Sequence, residues 1–180
     1  MKTMDNNSVI LITPNDEVLG TIDKMMAHRF AMLHRAFSVF VYRMIKGNME
    51  LLLQQRQMDK YHCGGLWTNT CCSHPTPGEE LVAAGERRLL EEIGVQTKLS
   101  ILGKFHYVAS LDNDLFENEL DYVLSGLLDA AEIPFNRDEV NAVKWVSIND
   151  LHDWLAKKPE EFTPWFCKAL TVFLNNVGKL

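Results

Sequence analysis

Between Trp67 and Gly94 the chain concentrates side chains that can move protons, grip anions and hold cations. Cys72 lies two residues before His74, and Arg87, Arg88, Glu91 and Glu92 follow on one segment that ends at Gly94. Arg88 and Glu92 are four apart, so on a helix both leave the same face. A guanidinium pairs with phosphate oxygens and a neighbouring carboxylate holds magnesium, so the pair suits a metal-bound diphosphate. Taken alone, the same spacing is met more often in an exposed ion pair. Cys72 stands just ahead of an expected helix start, where the local field or a nearby cation shifts a thiol's reactivity. The plainer reading is a small buried hydrophobe, and that reading also serves for Cys63, Cys71 and Cys167.

Ligands for a divalent ion flank this stretch. His28, His34, His74, Glu117 and Glu119 offer imidazoles and carboxylates suited to Mn, Zn or a similar ion. Glu117 and Glu119 are two apart and point to one side of an extended backbone. Each histidine taken singly is more often a structural or surface residue. A structural zinc on Cys63, Cys71, Cys72 and His74 fits none of the usual ligand spacings. Lys24, Arg56, Lys60 and Arg88 are scattered basics that act together only if the fold gathers them.

The elements that must position these groups can be read from periodicity. Residues 8–12 and 17–22 read as strands joined by a turn through Pro14-Asn15-Asp16. Residues 35–45 read as a buried strand, turned by Lys46-Gly47-Asn48 into a second strand over 50–55. Residues 56–65 read as a polar loop, which the Cys72 stretch continues. Thr76 as N-cap, Pro77 at the first helical position and Glu79 in a capping box predict a helix to about Ile93, stopped by Gly94. Strand patterns follow at 98–109, 119–128 and 139–146. A helix is expected from Ser147–Asp150 to about Lys157, and another over Pro164–Asn176, with Phe166, Ala169, Leu170, Phe173 and Leu174 at helical spacing. This order predicts an α+β fold, a mixed sheet covered by helices, as one domain over residues 1–180.

Composition bounds the function classes. The chain has 180 residues, 47% hydrophobic and 23% charged, enough for a core without staples. A net charge of -6 argues against general nucleic-acid binding, which rests on Lys and Arg at phosphates. No apolar run approaches the roughly 20 residues of a membrane span. A cytoplasmic protein with reduced thiols is expected, since the four cysteines form no spaced framework.

Together these motifs resemble type I isopentenyl-diphosphate isomerase, a branch of the Nudix superfamily, over residues 7 to 170. Trp67-Thr68-Asn69-Thr70-Cys71-Cys72-Ser73-His74-Pro75 is similar to that family's cysteine motif, Glu117-Asn118-Glu119 to its glutamate motif and Phe162-Thr163-Pro164-Trp165 to its tryptophan motif. His28 and His34 match its paired histidines. The Nudix box departs from the hydrolase pattern: Ser73 stands at the first glycine, and Arg88 replaces the glutamate after Arg87. A cation in place of a metal-binding carboxylate favours gripping a diphosphate over cutting it.

The resemblance implies a Nudix-like fold and reversible conversion of isopentenyl to dimethylallyl diphosphate through a carbocation-like state. It implies one Zn or Mn ion on His28, His34, His74, Glu117 and Glu119. It places Mg on Glu92, with the Cys72 carbonyl as a further candidate ligand. Lys24, Arg56, Lys60 and Arg88 would contact the diphosphate. Cys72 and Glu119 would be the acid/base pair, with Tyr107 beside Glu119 and Trp165 against the hydrocarbon; alignment through His74 selects Cys72 over Cys71. A small-molecule substrate, a monomer or weak dimer, and a closing N-terminal segment or loop are also expected. The competing readings are a nucleoside-diphosphate pyrophosphohydrolase and a non-catalytic diphosphate or metal binder.

Overall fold

The computed structural model describes residues 7–179. Its axis is β3 (His34–Ile45), buried from Ala36 to Val41 because both faces of the strand are covered. The Lys46-Gly47 turn, both residues at positive φ (50° and 82°), returns the chain into β4 (Asn48–Arg56). Ahead of this hairpin, β1 (Ser8–Ile12) and β2 (Val18–Asp23) pair antiparallel, and β1 touches β3 at Leu11 and His34. The one-turn-and-a-half helix α1 (Lys24–Arg29) follows, its first turn capped by Asp23 accepting the Met26 N–H at 3.1 Å.

The cysteine stretch is not the loop that its composition suggests. Trp67–Thr68 (β5) pairs with β4, and Cys71–Ser73 (β6) pairs antiparallel with β3 through Phe37–Val39. The following helix, α2 (Leu81–Ile93), starts four residues later than the expected Pro77. The Thr76–Glu79 bonds do form, with the Glu79 carboxylate accepting from the Thr76 N–H and hydroxyl at 2.9 Å. Gly78, however, sits at φ 81°, outside the helical region, so these bonds close a turn instead. Gly94 ends α2 as expected, at φ 75° with its N–H on Leu90 O.

β7 (Ser100–Ser110) and β8 (Phe116–Leu127) form a long antiparallel pair, and β8 runs parallel to β3 from His34–Glu119 to Tyr42–Leu127. β9 (Val140–Ser147) completes the nine-stranded mixed sheet against β4. α3 (Ile148–Lys157) begins where the sequence places it, Ser147 accepting the Asp150 N–H at 3.1 Å, and α4 (Phe166–Asn176) closes the fold. Strand alternation divides the core in two. Phe37, Val39, Val41 and Leu52 pack with Leu89 and Ile93 of α2, whereas Phe40, Leu51 and Leu53 pack with Phe166 and Phe173 of α4. The site's cavity is lined from both sides of the sheet, by Arg88 and Glu92 of α2 and by Lys24 of α1 and Trp165 ahead of α4.

Candidate active site

Register brings the chemistry-bearing residues together. On β3 and β8, His34 lies opposite Glu119; on β7, Tyr107 lies opposite the same Glu119; on β6, Cys72 lies opposite Ser38. Paired residues share a face, so Cys72 and Glu119 look into one cavity, which His74, Trp165 and Tyr107 also line, while His34 is buried behind Glu119. Cys71 points the other way, fully buried beneath α2. Adjacent thiols thus have unlike surroundings, and only Cys72 lines the cavity.

The four scattered basics line that same cavity. Arg56, at the end of β4, is buried; it reaches the Cys72 sulfur at 3.7 Å and stands 5.7 Å over the Trp165 ring. Lys24 opens α1, and burial followed by the nearby charge of Lys60 pulls its amine below the usual range. Lys60 is ion-paired with Glu139, which stands 3.8 Å from Arg88. Arg88 also pairs with Glu91 at 2.8 Å and with the buried carboxylate of Glu92. Glu92 takes a further bond from Gln54 at 3.0 Å, so protein donors engage both its oxygens. Such converging cations, held by carboxylates, are what an anionic ligand meets on entering.

Deeper in the cavity the histidines are oriented by backbone carbonyls. Nδ1 of His28 lies 2.7 Å from Lys24 O, and Nδ1 of His34 lies 2.7 Å from Met32 O. Each Nδ1 therefore carries the proton and each Nε2 presents a lone pair. The Nε2 atoms of His34 and His74 are 3.2 Å apart, with Glu119 Oε1 3.2 Å from the first and 2.8 Å from the second. Lone pairs converging at that spacing have the separation of cis ligands about one cation, because bonds of about 2.1 Å put neighbours about 3 Å apart. Burial lowers the His74 imidazole to about 4 despite Glu119, which keeps it neutral, as a ligand must be.

Among the described residues, His28, His34, His74 and Glu119 form one group able to hold an ion. Glu117 belongs to a second group, with His28 and His62. Its carboxyl is pushed well above the usual range, by burial and then by Glu119 beside it. In Glu119, burial acts upward too, but the His34 and His74 imidazoles against it outweigh that and hold the carboxyl well below that range. The second oxygen of Glu119 accepts from Tyr107 Oη at 2.7 Å. The Tyr107 hydroxyl is itself held well above its ordinary range, first by burial and then by that carboxylate. Cys72 is pushed up to about 12, burial outweighing Arg56, so its resting state is the thiol.

The cavity also holds residues absent from the sequence reading. Tyr61, His62 and Asp121 line it, and Glu139 sits among the cations at its mouth. His62 fell in a stretch read as a polar loop; its nearness to Lys60 was the available signal. Asp121 continues the Glu117, Glu119 alternation along β8 and was legible from that period. Glu139 carried no local signal, because its partners come from distant elements. The N-terminal closing segment expected above includes residues 1–6, outside the described residues.

Comparison with known proteins places this geometry. The NUDIX domain model matches residues 32–166. An isopentenyl-diphosphate Delta-isomerase of Photobacterium profundum is 47% identical, over 94% of this chain and 96% of that one. Another from Pectobacterium atrosepticum is 43% identical, over 91% of this chain and 89% of that one. Among solved structures, DR0079 of Deinococcus radiodurans shares the fold, with a TM-score of 0.67 at 19% identity over 83% of this chain and 89% of that one. The chain belongs to the NUDIX domain family and, within it, to the isopentenyl-diphosphate Delta-isomerases.

Proposed function

We propose that this chain moves the double bond of isopentenyl diphosphate to give dimethylallyl diphosphate, by proton transfer between Cys72 and Glu119. The supporting observation is the pairing of Glu119 with Tyr107 at 2.7 Å in the same cavity that Cys72 lines. The reaction adds a proton at the terminal alkene carbon and removes one from the carbon two bonds closer to the diphosphate. An alkene is a weak base, so the shift passes through a tertiary carbocation-like state and wants a donor and an acceptor within reach.

In this reading Lys24, Arg56, Lys60 and Arg88 grip the diphosphate and fix the chain's depth in the cavity. Cys72, resting as the thiol beside Arg56, and the Glu119 carboxylate, bonded to Tyr107, serve as donor and acceptor of the two protons, and the reverse reaction exchanges their roles. Trp165, buried at the entrance to α4, offers an indole face to the developing cation. The buried rings of Tyr107 and Trp165 keep water from trapping that cation as an alcohol.

The buried histidine and carboxylate set fits a divalent ion. The orphaned atoms support this: His28 Nε2 and Glu117 Oε2 lie 3.2 Å apart, yet neither has a hydrogen-bond partner among the described residues. His28, His34, His74, Glu117 and Glu119 would hold Zn or Mn, and Glu92 a Mg ion shared with the diphosphate. A bound ion would supply positive charge that sets the acidity of Glu119.

Proton NMR of isopentenyl diphosphate with the protein and Mg in deuterated water tests the reading. Dimethylallyl diphosphate with deuterium at the exchanging carbons is expected. Phosphate release without an isomer would instead favour the hydrolase. Binding without either product would leave a non-catalytic module.

A further inference from the structure

His62 is used by none of the roles above, yet its surroundings are those of a metal ligand. Its Nε2 lies 3.4 Å from Glu117 Oε1, and its ring stacks on His28 at 5.8 Å. That centroid separation equals the one between His28 and His74. His28, His62 and Glu117 are all buried, and their ligand atoms lie within 4.8 Å of one another. Three of the atoms here have no hydrogen-bond partner among the described residues: His28 Nε2, Glu117 Oε2 and His62 Nδ1. Two buried imidazoles and a carboxylate, with polar atoms left without partners, form a set that a borderline divalent ion binds.

The two groups share His28. Its Nδ1 proton is committed to Lys24 O, so it has one lone pair to give, at Nε2. One lone pair serves one ion at a time, so the groups are alternatives and not a two-metal site. We propose that the buried ion has a second seat, formed by His28, His62 and Glu117, and that His62 is the ligand specific to that seat. The first seat is the one proposed above, where His34, His74 and Glu119 hold the ion with Glu117 beside them; in the second, Glu117 and His62 hold it and Glu119 is released. Unlike His28 and His34, His62 has no carbonyl fixing its ring among the described residues, so the second seat is the weaker. This inference rests on the reading of the cluster as a metal site.

Titrating the metal-stripped protein with Co(II), followed by its visible absorption, tests both. One Co(II) per chain is expected for the unchanged protein. His34→Ala should still bind one Co(II), with an altered spectrum, through the second seat. Adding His62→Ala to it should weaken binding at least about tenfold further, the scale on which lost partners weaken metal sites. Equal affinity and spectrum in the single and double variants would overturn the second seat, as would two Co(II) ions per chain. No Co(II) bound by the unchanged protein would sink the metal reading itself. Should either variant fail to fold, ¹⁵N-histidine NMR of the milder His34→Asn with Zn(II) decides: a shifted His62 Nε2 supports the seat, and an unmoved one removes it.

Discussion

Along β6 successive side chains take opposite faces, so Cys71 enters the core beneath α2 while Cys72 meets Arg56 in the cavity. Substitution should separate the two thiols. Cys72→Ala is expected to lower kcat by about a hundred- to ten-thousand-fold, the range for a positioned acid or base, with an unchanged melting temperature. Cys71→Ala should do the reverse, leaving kcat near the parent value and lowering the melting temperature. Steady-state rates with thermal unfolding of both variants check this, and near-parent turnover in Cys72→Ala would sink the assignment. Glu92 asks for a different readout. Gln54 and Arg88 both engage it, so Glu92→Gln keeps the shape while removing the charge. A raised KM and a higher Mg requirement at nearly constant kcat are expected; an unchanged Mg dependence would remove it from the diphosphate's metal. Residue types at these positions were readable in advance because the motif is contiguous. His62 and Glu139 were not, since each acquires meaning only from a partner roughly 50 or 80 residues away.

At the scale of elements, the turn before α2 is held by one ion pair. Arg87 reaches back from the helix to Glu79 at 2.7 Å, and this contact, over the cost of burial, brings the Glu79 carboxyl down to about 2 from an ordinary 4.5. A carboxyl depressed in the folded state stabilises the fold above its unfolded value and loses that contribution as pH falls. The stability gap between the parent and Glu79→Gln should therefore be full above about pH 4.5 and close progressively toward pH 2. Urea midpoints of both proteins across that window measure it, and a gap constant with pH would show that Glu79 acts through shape alone. The same turn shows why element boundaries were less legible than element types. Thr76 and Glu79 carry a helix-start signature and form its bonds, but Gly78 breaks the helix with its positive φ and delays the start to Leu81. Long periodic segments such as β3, β8 and α4 were readable because burial on a fixed face leaves its period in the sequence. β5 and β6 are too short to show a period, and only pairing with β4 and β3 makes them strands.

For the whole molecule, the buried cluster ties together parts of the chain far apart in sequence. His28 comes from α1, His34 from β3, His62 from the β4–β5 connection, His74 from the end of β6, and Glu117 and Glu119 from β8. Without a cation these groups bring buried carboxylate oxygens and imidazole lone pairs as close as 3.2 Å, at His28–Glu117 and His34–His74, an arrangement that costs free energy. An ion that binds the folded chain and not the unfolded one must then raise its stability by mass action. At a free-ion level about one hundred times the dissociation constant, the gain is about 2.7 kcal/mol. For a chain of this length each kcal/mol moves the melting temperature by about 2–4 °C, so a rise of about 5–10 °C on adding Zn or Mn to stripped protein is expected. Calorimetry with and without a chelator measures this shift. His28→Ala, which removes the imidazole shared by both groups, should abolish most of it, and a shift that survives in His28→Ala would place the stabilising ion elsewhere in the molecule.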